Sequence, residues 1–183
     1  MKRWWPIVVN VLAFDVTWTV VLFLAANGWA WVGAGVMLAN VVGYLVWTAM
    51  EKRGASWQRE LGLIVGFASI GAAIDSVLCS RGVVGLAQPR GVSAEFAVFF
   101  FALWANFGTT VRIGFAWAWD RVWAGVVFGL VGGPLGYLIG ERIGAVTIGQ
   151  DRAVSLGIFS VEFAVMMGAW FLVAGRVLPR RVA

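Results

Sequence analysis

The chain has 183 residues, of which 61% are hydrophobic and 13% are charged, and its mean hydropathy is +0.87. Because soluble domains are usually about 45–50% apolar and about a quarter charged, this composition excludes an ordinary soluble domain. The net charge of +5 comes from basic residues near the ends of apolar segments, a pattern that favours a membrane-orientation signal over nucleic-acid binding.

Six apolar segments are predicted to span a membrane, since about 20 apolar residues suffice. Within most of these segments the apolar residues would occupy every face of a helix and do not alternate with polar ones, which favours helices over the strands of a barrel. The first segment is longer than the core of a secretory signal and contains Asp15, so we interpret it as a retained helix. The prediction is one all-α integral membrane domain over residues 1–183, with helices at about 5–26, 30–50, 61–79, 94–118, 122–140 and 154–175.

The connections between the helices predict the orientation of the bundle. A polar loop runs from Glu51 to Glu60, and a connection with glycine, proline and arginine runs from Arg81 to Gly91. If the N-terminus is cytoplasmic, nine basic residues lie inside and four outside, so both termini are predicted to lie in the cytoplasm of a bacterial inner membrane. The nine are Lys2, Arg3, Lys52, Arg53, Arg59, Arg121, Arg176, Arg180 and Arg181, and the four are Arg81, Arg90, Arg142 and Arg152.

Glycines recur every four residues in the fifth segment, in one row at 125, 129 and 133 and another at 132, 136, 140 and 144. Small residues at this spacing allow helices to approach closely. We therefore expect the fifth helix to lie at the centre of the bundle. Pro134 removes one backbone hydrogen bond and predicts a kink in the same helix.

Acidic residues inside or near the ends of these segments mark the candidate site. A carboxylate in hydrocarbon is costly unless it is paired, hydrated or protonated, so it usually faces the bundle interior. Asp75 and Glu162 are predicted to fall at one depth, in the outer half of the membrane. Glu95 and Glu141 belong to the same layer nearer the surface. For all four carboxylates, salt bridges that hold the helix ends are the alternative interpretation.

Asp15 stands apart from this layer, near the middle of the first helix. Trp18 follows one helical turn later on the same face. Arg112 lies within the fourth segment and needs a partner there, so a buried pair between Asp15 and Arg112 is one expectation.

The residue inventory limits the chemistry. The chain has no histidine and one cysteine, Cys79, which excludes serine–histidine and cysteine–histidine catalysis and an intrachain disulfide. We expect no metal and no cofactor. The 13 phenylalanines, 12 tryptophans and 2 tyrosines offer aromatic faces that stabilise a cation. The predicted substrate-binding wall consists of Trp104, Trp170, Trp18, Phe101, Tyr137 and Asn106.

Several motifs carry a family resemblance. The most specific is Gly-Gly-Pro-Leu-Gly-Tyr at 132–137, running into Gly-Glu-Arg-Ile-Gly-Ala at 140–145. This motif, together with Asp75-Ser76 and Ala102-Leu103-Trp104, resembles the sequences of a bacterial family of short multi-pass membrane proteins described as a domain of unknown function. The chain departs from the family's usual residues at Asp15, Arg112 and Glu141. The resemblance implies genes near those of cyclopropane fatty-acid synthases and flavin amine-oxidase-like proteins, and so points to lipid chemistry.

The predicted function is that of an enzyme that acts on a hydrophobic lipid or isoprenoid inside the bilayer by acid-initiated chemistry, such as a protonation-initiated cyclisation. Carboxyl groups and aromatic walls that converge without any histidine suit this chemistry. Asp75 and Glu162 are the predicted acid and base, followed by Glu141 and Asp15. The alternatives are a small proton-coupled transporter of lipophilic cations or lipids, and a membrane accessory protein without a small-molecule site. Membrane lipids and a hydrophobic substrate are the predicted partners, nucleic acid is not, and a homo-oligomer is compatible with the sequence.

Overall fold

A computed structural model of the chain describes residues 4–50, 57–88, 92–115, 118 and 121–178. Each of its six helices is long and apolar enough to cross a membrane, which confirms the predicted multi-pass helical bundle. The elements are α1 (Trp5–Ala26), α2 (Ala30–Met50), α3 (Trp57–Ser80), β1 (Val84–Leu86), α4 (Ala94–Ile113), α5 (Val122–Ile143), β2 (Val146–Ile148) and α6 (Arg152–Val177).

The helix bounds follow the sequence pattern for α1 and α2 and differ from it elsewhere. The third helix begins at Trp57, inside the predicted polar loop, because its first charged turn is part of the bundle and Glu60 is buried there. The fourth helix ends at Ile113, five residues earlier than predicted, with Gly114 as its C-cap.

The centre of the bundle is α4. In its most apolar stretch 72% of the residues are buried, against 22% in α5, so the prediction of a central fifth helix is wrong. Polar side chains tie α4 to its neighbours within the apolar interior. Asn40 Nδ2 donates a hydrogen bond to Asn106 Oδ1 at 2.7 Å, and Asn10 Nδ2 donates to the carbonyl oxygen of Thr109 at 3.2 Å.

The first glycine row of α5 faces a single neighbour, α6. A Cβ atom on Gly129 would collide with the Phe163 backbone, and one on Gly133 would stand 2.6 Å from the Phe163 ring. The row therefore permits one close pairwise contact, which explains why it does not place α5 at the centre. The helix continues through Pro134, and the kink there stays a prediction.

We expect Gly129→Ala to destabilise the protein by about 1–3 kcal/mol, the usual cost of forcing extra volume into a packed contact. The change moves α5 away from the α6 backbone. Thermal unfolding in detergent micelles measures it. The matched control is Gly136→Ala on the same helix, where no atom lies within 4 Å of the added Cβ. Equal unfolding temperatures for the two variants would contradict this packing.

Two short strands join connections that are distant in the sequence. Strand β1 pairs antiparallel with β2, with Val84 opposite Ile148 and Leu86 opposite Val146. These strands were not predicted from the sequence. We call the end of the bundle that carries them the sheet end; α3 and α5 end there, and α4 and α6 begin there. The opposite end, where α1 begins, is the terminus end.

Candidate functional site

A cavity of about 240 Å³ lies among α1, α4 and α5 and reaches Phe163 of α6 and Val146 of β2. Its lining is apolar and largely aromatic. Asp15 is the only acidic side chain among the described residues that line it. The lining residues are Phe14, Asp15, Trp18, Leu22, Phe99, Phe100, Leu103, Trp104, Phe107, Phe128, Gly132, Gly133, Leu135, Gly136, Tyr137, Ile139, Gly140, Val146 and Phe163.

Helical periodicity explains how two helices build this cavity. Helix α4 contributes one face, with side chains from Phe99 to Phe107 at spacings of one, three and four residues. Helix α5 contributes Gly132, Gly136 and Gly140 from its second glycine row. A Cβ atom on Gly136 would meet nothing within 4 Å. The missing side chain at Gly136 thus leaves open space, whereas the first row makes a helix contact.

The wall of the cavity carries a hydrogen-bonded carboxyl group. Asp75 on α3 is fully buried and lies behind two cavity-lining residues. Trp104 Nε1 donates a hydrogen bond to Asp75 Oδ2 at 2.6 Å, and the Tyr137 hydroxyl donates a short one to Asp75 Oδ1. Tyr137 therefore links the cavity to Asp75, because it lines the cavity and its hydroxyl, which is able both to donate and to accept hydrogen bonds, bonds the carboxyl group.

A second buried carboxyl group lies close to this pair. Glu162 on α6 is 8% exposed, and neither of its carboxyl oxygens has a hydrogen-bond partner among the described residues. It interacts electrostatically with both Asp75 and Tyr137. Asp75 and Glu162, the two residues that the sequence ranked first, thus lie near enough to interact electrostatically, and Tyr137 connects Asp75 to the cavity.

Asp15 is exposed at the rim of the cavity, halfway along α1, beside Phe14 and Trp18. The predicted pair between Asp15 and Arg112 is wrong, because Arg112 forms a buried ion pair with Glu60. Both of these residues lie within two turns of the terminus end, on α4 and α3, whereas Asp15 lies at mid-depth. Asp15 is thereby left facing the cavity.

The other predicted site residues lie away from the cavity. Glu141 pairs with Arg152 at 2.6 Å, with 27% and 57% of the side chains exposed, which agrees with the salt-bridge interpretation. The Trp170 ring packs on Phe67 with ring centroids 3.7 Å apart, and Asn106 bonds Asn40. Phe101 packs in the core.

Sequence reasoning missed much of the aromatic lining. Phe163 packs between Trp104, at a centroid distance of 4.6 Å, and Tyr137, at 6.0 Å. The spacing of Phe100, Trp104 and Phe107 along one face of α4 was the available signal. Nothing in the sequence indicated which neighbouring helix that face would meet.

The comparison with protein families agrees with the resemblance. The family described as protein of unknown function (DUF2878) matches residues 7–169. The chain belongs to this family. The DUF2878 match spans every residue that lines the cavity, as well as Asp75 and Glu162. No curated protein and no solved structure matches the chain.

Proposed function

We propose that this protein is an enzyme of the bacterial cytoplasmic membrane that acts on a hydrophobic lipid or isoprenoid by proton transfer inside the bilayer. The observation that carries the proposal is the cavity itself. It is apolar and aromatic, it lies within a membrane bundle, and the described residues of its lining include few groups able to exchange a proton. These are Asp15 on α1, and Tyr137 on α5 with Asp75 behind it.

The chemistry that suits these groups is redox-neutral. One group donates a proton to a carbon–carbon double bond and leaves a carbocation, and a second group removes a proton from a neighbouring carbon. The product is an isomer or a cyclised form of the substrate. An aromatic ring face stabilises a nearby cation by about 0.5–2 kcal/mol, and Trp18 and Trp104 both line the cavity. A carboxylic acid in an apolar site is a known form of proton donor at neutral pH.

A proton-coupled transporter of lipophilic cations is the second candidate. The interaction of Glu162 with Asp75 favours it, because such a transporter also needs titratable groups in its interior. Transport requires a route to both membrane faces, whereas Val146 of β2 is part of the cavity lining towards the sheet end. An accessory protein without a ligand is the third candidate. In that case, a larger side chain in the cavity would not change the lipids of the cell.

Lipid extracts from cells with and without the protein test the proposal. We expect a lipid product that depends on the protein and disappears in Gly136→Leu, because leucine at this position occupies cavity volume. The matched control is Gly43→Leu on the exposed side of α2, where the added Cβ also meets nothing within 4 Å. Identical extracts for the wild type, the empty cell and Gly136→Leu would contradict the proposal.

The orientation of the bundle is part of the proposal. We expect reporters fused after Ala183 to give a cytoplasmic signal, and reporters inserted between Arg81 and Gly91 to give an external one, because basic residues concentrate at the terminus end. An inverted pair of signals would contradict it. The proximity to cyclopropane fatty-acid synthase genes that the resemblance implies stays a prediction.

A further inference from the structure

The cavity opens towards the side of the bundle. Four of its lining residues are also exposed, namely Asp15 on α1 and Phe128, Leu135 and Ile139 on α5. The side chains of the latter three are 44%, 51% and 44% exposed. Helix α5 packs on α6 through its first glycine row. Helix α1 packs on α2 and α4 and also meets α5 near the sheet end, where Leu22 Cδ2 would stand 3.8 Å from a Cβ atom on Gly140. The gap between α1 and α5, which we call the side opening, therefore faces the lipid.

The sheet end of the cavity is covered. Val146 of β2 lines the cavity there and is buried, and its Cγ2 would stand 3.0 Å from a Cβ atom on Gly140. A molecule that is dissolved in the bilayer thus reaches the cavity through the side opening without crossing the strands.

Asp15 at the side opening has no hydrogen-bond or ion-pair partner among the described residues. Its position halfway along a membrane-spanning helix makes this costly, since an acidic side chain at that depth needs a partner. The aromatic rings of Phe14 and Trp18 flank it in the cavity lining. This arrangement offers a hydrogen-bond acceptor to the polar group of a ligand and apolar contact to the hydrocarbon chain attached to that group.

We propose that the ligand is a membrane-dissolved amphiphile whose hydroxyl or amine group donates a hydrogen bond to Asp15 while its hydrocarbon chain fills the cavity. The inference rests on the proposed function and names the substrate class of the same site. An apolar cavity of about 150 Å³ accepts benzene, so about 240 Å³ admits a longer chain. A carboxylate at the side opening disfavours fatty acids and other anions by like-charge repulsion.

Photolabelling of the purified protein in phospholipid nanodiscs tests this proposal. The probes are three diazirine-bearing chains of farnesyl length that end in a hydroxyl, an amine or a methyl group. We expect the alcohol and the amine to label cavity residues on α1 and α5 about tenfold or more better than the hydrocarbon, as a hydrogen bond to a charged group allows.

Two substitutions at Asp15 distinguish the hydroxyl from the amine. Asp15→Asn keeps a hydrogen-bond acceptor, so labelling by the alcohol should be retained while labelling by the amine should fall about tenfold or more. In Asp15→Leu, labelling by both probes should fall. Leu135→Trp should slow labelling by narrowing the side opening, and Leu130→Trp, on the same helix outside the cavity lining, should not.

Equal labelling by the hydrocarbon, or unchanged alcohol labelling in Asp15→Leu, would overturn the proposal. The failure of the proposed function has a different signature. If Asp15→Leu still binds all three probes but Gly136→Leu still abolishes the lipid product in cells, the enzyme proposal stands and only the assigned ligand class fails.

Discussion

Tyr137→Phe should lower product formation about 100-fold or more and leave the protein folded. General acid–base catalysis by one positioned side chain contributes about 10²–10⁴-fold. Tyr137 joins the cavity to Asp75 through a hydroxyl group, and phenylalanine removes only that hydroxyl. The ring stays in place because it stacks on Phe159, with centroids 3.8 Å apart and planes at 19°. Quantification of the protein-dependent lipid product, normalised to protein in the membrane, measures the effect.

The matched control is Tyr44→Phe. Tyr44 is also buried, and its hydroxyl donates a hydrogen bond to Glu60 Oε2 at 2.9 Å. Both variants thus lose a hydroxyl–carboxylate hydrogen bond, but Tyr44 does not line the large cavity. Similar losses of product in the two variants would contradict a chemical role for Tyr137. Asp75→Asn should reproduce the loss seen in Tyr137→Phe, because the amide is a much weaker base than the carboxylate.

Glu60→Ala should lower the free energy of unfolding by about 3–5 kcal/mol, which is the usual cost of removing one partner of a buried ion pair. Glu60 is 2% exposed and Arg112 is 5% exposed, so the arginine charge keeps little access to water when the carboxylate is gone. Thermal unfolding in detergent micelles, together with the amount of protein in the membrane, measures the loss.

Two variants control for the Glu60 result. Glu60→Leu combined with Arg112→Leu removes both charges and should recover part of the stability, because no charge is then left buried. Glu141→Ala breaks the more exposed pair with Arg152 and should cost about 1 kcal/mol or less. Equal losses in Glu60→Ala and Glu141→Ala would show that the buried pair does not stabilise the fold.

The fold was largely predictable because hydropathy and helix length are local properties. The bounds of α1 and α2 follow directly from their apolar runs. Glu60 shows where this reasoning stops. An acidic residue in the first turn of a helix is ordinary near its positive end, so no local pattern indicated that it would be buried. Its partner, Arg112, lies far along the chain and only the tertiary fold brings the two together.

The candidate site was predictable in part. Polar residues within apolar segments directed attention to Asp15, which lines the cavity, and to Asp75 and Glu162, which are buried. The roles of these residues depend on contacts across 29 and 62 positions of sequence, from Asp75 to Trp104 and to Tyr137. Likewise, the two glycine rows on α5 have the same spacing, yet one packs on α6 and the other contributes Gly132, Gly136 and Gly140 to the cavity lining. Glycine spacing predicts that another part of the protein can approach the helix closely. Whether a second helix packs there or a cavity forms depends on the tertiary fold.

Deuterium incorporation tests proton transfer to a lipid most directly. The purified protein is placed in liposomes made from the lipid extract of its own host membrane, in D₂O, and the lipids are analysed by mass spectrometry. We expect a product that carries carbon-bound deuterium, formed by the wild type and about 100-fold less by Tyr137→Phe. A lipid profile with no protein-dependent carbon-bound deuterium would contradict proton transfer as the reaction of this protein.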